Sequence, residues 1–175
     1  MMRWLRRSGR AAAPVLVDDG SLAVLASSSD PAAGEGPALA ALAAAGHPPG
    51  TPVLLRHLFA LAGPPDAAGT PARDVPTGAS PPAHRDETDT EARGRASEAA
   101  LRALVERDGY EVRRLGPERL VATRQTVPTV LDVARERARM TGLEMRFPVT
   151  YLGWQALAPP PAGRAGDAPP RDDGR

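Results

Sequence analysis

The sequence predicts an α+β domain in the order strand, helix, strand, strand, helix, strand, forming a four-stranded antiparallel sheet with two helices on one face. Three observations predict it. Val53–Leu61 is an almost unbroken apolar run of strand length. Two stretches with helical spacing of apolar residues, near 96–107 and 126–141, stand on either side of a hairpin pattern that turns at Gly116-Pro117-Glu118. A strand pattern bearing aromatics closes the series within Met145–Leu157, centred on Val149–Ala156.

The predicted domain occupies residues 51–158 and is interrupted by a disordered insertion at 63–95. Residues 1–50 are predicted to be poorly ordered apart from a short helix near 37–45, and 159–175 to be a disordered tail. Near the start, Val15-Leu16-Val17 and Leu22-Ala23-Val24-Leu25 flank an Asp18-Asp19-Gly20 turn signal. A hairpin fits this pattern, and a frayed segment fits it equally well. Ser27–Pro37 reads as loop. Pro37–Ala45 reads as helix, with proline in the first turn, a run of alanine, and Gly46 as the stop.

In the 53–61 strand, Val53, Leu55, His57, Phe59 and Leu61 point one way, while Leu54, Arg56, Leu58 and Ala60 point the other. Apolar character on both sides predicts a central position in the sheet. From Gly63 to Arg95 the only large aliphatic residue is Val75, too little burial to offset chain entropy. Helical spacing resumes at Ala96, with Ala100, Leu101, Leu104 and Val105 on one face, Ser97 as cap and Asp108-Gly109 as stop. Tyr110–Leu115 and Arg119–Arg124 then read as a hairpin. In the second helix, Val127, Val130, Leu131, Ala134 and Ala138 read as the core-facing stripe, with Asp132, Arg135, Glu136, Arg137 and Arg139 facing water. Right-handed crossovers make this order a ferredoxin-like sheet.

Composition narrows the function. All 22 basic residues are arginine, set against 21 acidic ones for a net charge of +1. The two signs are mixed along the chain, which argues against a nucleic-acid or anionic-membrane footprint. Cysteine is absent, excluding disulfides, zinc–thiolate sites and cysteine nucleophiles. No apolar run approaches the roughly 20 residues of a membrane span. The basic start, Met1–Arg7, is not followed by the apolar stretch of a secretory signal, so a cytoplasmic location is expected. Phosphate-binding glycine loops, a Gly-x-Ser-x-Gly elbow and a His-Glu-x-x-His pair are all missing. A non-enzyme without cofactor is therefore expected. His47, His57 and His84 have no convergent ligands in the sequence, so no metal is expected either. On the two central strands only Phe59 offers a stacking surface, which argues against direct RNA recognition.

Three segments carry a family likeness: "VLLRHLFAL", "SEAALRALVERDGYEVRR" and "VLDVARERARMTGLEMRFPVTYLGWQAL". The Arg56-His57 step, the Gly109-Tyr110-Glu111-Val112 junction and the Tyr151-x-Gly153-Trp154 signature resemble the RraB family, regulators of ribonuclease activity B. The likeness covers roughly residues 51–62 and 96–158. It implies a ferredoxin-like fold and inhibition of ribonuclease E by direct protein–protein binding. The chain departs from that pattern at Leu152, where an acidic residue is common, at Arg146-Phe147-Pro148-Val149, and in lacking an acidic tail.

Arg56, His57, Tyr151 and Trp154 are the candidate partner-binding residues. Tyr151 and Trp154 are three apart, so a regular strand places them on opposite sides, one against the helices and one on the open sheet face. Arg135, Arg137, Arg139 and Arg146 are interleaved with Glu136 and Glu144 and read as a solvated face. The expected function is an RraB-like regulator of RNA decay that binds ribonuclease E. The alternatives are a small-ligand-binding regulatory module and a self-associating structural domain, with a homodimer one arrangement left open.

Overall fold

The computed structural model describes residues 14–61 and 84–160. In chain order its elements are β1 (Ala23–Ser28), α1 (Gly36–Ala44), β2 (Val53–Leu61), α2 (His84–Arg107), β3 (Glu111–Arg114), β4 (Arg119–Thr126), α3 (Val130–Gly142) and β5 (Val149–Ala158). The strands form one five-stranded antiparallel sheet in the order β1-β5-β2-β4-β3. β2 is central, as its two-sided apolar sequence predicts.

Register decides which side chains share a face. Val53, Leu55, His57 and Phe59 of β2 lie beside Thr126, Arg124, Ala122 and Leu120 of β4. Val53, Leu55 and Phe59 pack with helical residues in two apolar clusters. One joins Phe59, Val112 and Leu120 to Leu101 and Val105 of α2 and Met140 of α3. The other joins Leu55, Trp154 and Ala156 to Ala38 and Leu42 of α1 and Val133 of α3. All three helices therefore cover the same face of the sheet.

Several expectations are corrected. Among the described residues the sheet has five strands and is covered by three helices, not four and two, because residues 23–44 belong to the fold. The segment Ala23–Ser28 pairs with β5 rather than folding back on Val15–Val17 as a hairpin. Its pairing partner lies more than a hundred residues away in sequence, beyond the reach of local turn signals. The disorder expected through residue 95 also ends earlier, since α2 is helical from His84. No proline follows Pro82 before the helix ends. A helix anchored by Leu101 and Val105 thus propagates backward through a polar segment that could not bury a core alone. The remaining parts of the insertion, the first thirteen residues and residues 161–175 lie outside the described residues.

The largest departure lies in α3. Thr129 caps it, its hydroxyl accepting the Asp132 N–H at 3.1 Å, so the helix starts later than the apolar Val127. The buried residues are Val133, Glu136, Arg137 and Met140. Val130 and Leu131, read from the sequence as core, are 54% and 58% exposed. Ala134 and Ala138 are exposed as well. The helix is turned so that two adjacent charged residues point inward and the apolar stripe points out.

Candidate functional site

The inward charges of α3 meet polar groups from the sheet. His57, completely buried on β2, stands between Leu55 of one apolar cluster and Phe59 of the other. Its Nε2 lies 3.2 Å from Glu136 Oε2 and its Nδ1 2.8 Å from the Tyr151 hydroxyl. Tyr110 donates its hydroxyl to the same Glu136 oxygen at 2.8 Å. Arg124 of β4 binds the other Glu136 oxygen and lays its guanidinium 4.5 Å from the Tyr110 ring centre. These five residues form a polar layer that separates the two apolar clusters.

One protonation state satisfies the layer. Burial pushes the His57 pKa down, against the opposing pull of the hydrogen bond and charge of Glu136. The neutral imidazole then donates from Nε2 to Glu136 and accepts at Nδ1 from Tyr151. Burial alone raises the Glu136 carboxyl, but hydrogen bonds from His57 and Tyr110 and the nearby Arg124 charge hold it below the ordinary carboxylate range. Both tyrosine hydroxyls are pushed up, mainly by burial, with Glu136 adding to the effect at Tyr110. Both therefore remain donors at neutral pH.

A second buried pair lies next to the layer. Trp154 donates its indole N–H to Glu35 Oε2 at 2.6 Å. Arg137 Nε is 2.8 Å from Glu35 Oε1, a contact of opposite charges that lacks the angle of a hydrogen bond. The same guanidinium donates to the Asp30 carbonyl at 2.9 Å and to the Ser28 hydroxyl. Arg137, read from the sequence as solvated, ties α3 to the end of β1.

Gly153 explains why Tyr151 and Trp154 share this environment. Trp154 is level with His57, yet Tyr151 is level with Phe59, so Leu152 is an extra residue and the register shifts. This bulge cancels the odd spacing and brings both aromatics to the helix-covered face. Gly153 sits at φ +117°, and a Cβ there would meet the Ser28 carbonyl oxygen at 2.2 Å. The Tyr-x-Gly-Trp signature thus encodes a bulge and a close crossing of β1. The expectation that one of the two aromatics lies on the open face is corrected: Trp154 is 1% exposed, and Tyr151 bonds to His57.

Of the four candidate residues, the structure brings three together, His57, Tyr151 and Trp154, and places Arg56 on the opposite face. There Arg56 pairs with Thr123 and Gln155 across the neighbouring strands. Two surface clefts, between α2 and β3 and between α2 and α3, are lined by none of the polar-layer residues. His47 bonds the Thr51 carbonyl at 3.1 Å within its turn. Among the described residues there is no group of three or more His, Asp or Glu placed to hold a metal, and no helix long and apolar enough to cross a membrane. Sequence reasoning missed Glu35, Tyr110, Arg124, Glu136 and Arg137. The available signal was the spacing Val133, Glu136, Arg137, Met140, which is a helical stripe once charges are admitted to it.

No family model matches the chain, and comparison with curated proteins and with solved structures gives no match either.

Proposed function

We propose that this chain is a protein-binding regulator of the RraB type, acting in the cytoplasm on ribonuclease E or another protein of RNA decay. The neighbour order β5-β2-β4-β3, with α2 and α3 on one side, supports a ferredoxin-like core to which β1 and α1 are added. The polar layer is satisfied internally and opens on neither cleft, which supports a structural role for His57 and Glu136 and a non-enzymatic protein.

The observation that carries the reading is the outward side of α3. Val130 and Leu131 are 54% and 58% exposed on a helix whose inward side spends two positions on charge, and Val127, just before its cap, is 41% exposed. An apolar helix face turned to water, rimmed by Asp132 and Arg135, is the kind of surface a partner protein covers.

Calorimetry against ribonuclease E from the same source, with RNA alone as control, tests the proposal. Saturable binding to the enzyme and none to RNA is expected. Leu131→Asp should remove that binding while leaving the melting temperature close to wild type, because the side chain is exposed. Absence of wild-type binding would overturn the choice of partner, and undiminished binding by Leu131→Asp would overturn the choice of surface.

A further inference from the structure

The face of the sheet away from the helices carries a second kind of surface. Residues Pro14–Asp19 run across it, held by side chains from three strands, while a fourth orients one of them. Gln125 of β4 accepts the Leu16 N–H at 2.8 Å and donates to the Pro14 carbonyl at 2.9 Å. Arg56 of β2 donates to both carboxylate oxygens of Asp18 at 3.1 Å, and Arg113 of β3 binds the same carboxylate. Gln155 of β5 accepts from Arg56 Nε at 3.0 Å and Nη2 at 2.6 Å, fixing the direction of the guanidinium.

These contacts read a peptide, and they read little of its sequence. The Gln125 amide matches the donor and acceptor of an extended backbone, whatever the side chains. Two arginines then require a carboxylate two residues further on, as Asp18 follows Leu16. The segment contributes little else: Val15 is 84% and Val17 53% exposed. It holds its place by a few polar contacts, the best shielded being the Asp18 carboxylate, 6% exposed between Arg56 and Arg113, and by being covalently attached, which gives it a high local concentration.

We infer that this face is a docking site for an extended acidic segment of a partner protein, which enters by displacing residues 14–19. The site selects a polypeptide because Gln125 offers paired donor and acceptor, a match that a phosphate, with acceptors only, does not make. The two arginines supply the charge complementarity for the acidic residue. The chain's own strap is a resident copy of the ligand, so an incoming segment must compete with it. The inference is separate from the outward face of α3, and its test uses no ribonuclease.

The probe is a fluorescein-labelled peptide copying residues 13–21, titrated by anisotropy into full-length wild type and full-length Asp18→Ala. Weakening the resident strap should make the variant bind the peptide about tenfold more tightly than wild type. A peptide with Ala in place of Asp18 should lose binding, as should the double variant Asp18→Ala, Arg56→Ala. No saturable binding by Asp18→Ala, or binding that survives loss of Arg56, overturns the inference. Circular dichroism checks that each variant is folded. Should Asp18→Ala fail that check, excess peptide is titrated into wild type and followed by amide chemical shifts. Shifts at Arg113, Gln125 and Gln155 are then expected, and their absence overturns the inference equally.

Discussion

The two faces of the sheet use the same residue types to opposite ends. Under the helices, Glu136, His57 and two tyrosines saturate one another inside the core, and Arg124, one-third exposed, closes the network at its rim. Under the Pro14–Asp19 strap, Arg56, Arg113 and Gln125 bond a segment whose Val15 and Val17 lie at the surface while its Asp18 carboxylate is only 6% exposed. A polar group in the first setting has no replacement partner if its own is removed. In the second, displacement of the strap would leave water as the replacement partner. Arginine thus bonds a core carboxylate on one face and holds a chain segment on the other.

Substitutions can break or sharpen that contrast. Trp154→Ala should have the largest effect, about 3–5 kcal/mol of unfolding free energy by urea denaturation, since it empties a core site and leaves Glu35 without its indole donor. Gly153→Ala should cost roughly 3 kcal/mol, combining a disfavoured φ with a clash against the Ser28 backbone. Glu136→Gln follows at about 1–3 kcal/mol, because Arg124 and Tyr110 lose a charged acceptor. Gln125→Ala, on the strap face, should cost only about 1 kcal/mol or less. A loss there as large as that at Trp154 would erase the distinction between the faces.

The polar layer also predicts a pH dependence. His57 and Glu136 both have folded-state pKa values below their unfolded ones. The unfolded chain therefore binds more protons in acid, and stability rises with pH. Starting from the unfolded histidine value of 6.5, the melting temperature should fall progressively as pH drops below about that point, with Glu136 adding its share at lower pH. His57→Gln should flatten the upper part of this fall. An unchanged profile in that variant would show that His57 does not carry the effect.

Much of this fold can be read from the sequence, and the failures share one cause. β2 was legible because Val53–Leu61 is apolar on both sides, and the β3–β4 hairpin because Gly116-Pro117 punctuates it. The orientation of α3 was not legible, because a hydrophobic stripe is assumed to face inward and here Val130 and Leu131 face out. The shared face of Tyr151 and Trp154 was hidden by a bulge that only pairing with β2 reveals. β1 and the strap were hidden for the same reason: their partners, β5 and Gln125, are distant in sequence. Of the candidate site, the sequence marked His57, Tyr151 and Trp154 through a motif, but not the acidic residues that bind them. Local pattern reports what a segment can be, and long-range pairing decides which side it shows.

The position of β1 bears on aggregation. At one edge of the sheet stands β3, four residues long and rich in charge. At the other, β1 covers β5, a ten-residue strand carrying Val149, Tyr151, Leu152, Trp154 and Leu157. Stripped of β1, β5 would offer a long, largely apolar row of unpaired backbone groups to any strand nearby, including the same strand of another molecule. The six residues Ala23–Ser28 therefore act as a guard against intermolecular strand addition. A proteolytic cut between Ser29 and Gly34 would free β1, with its buried Ala26, to leave the sheet, and aggregation through β5 is the first consequence expected.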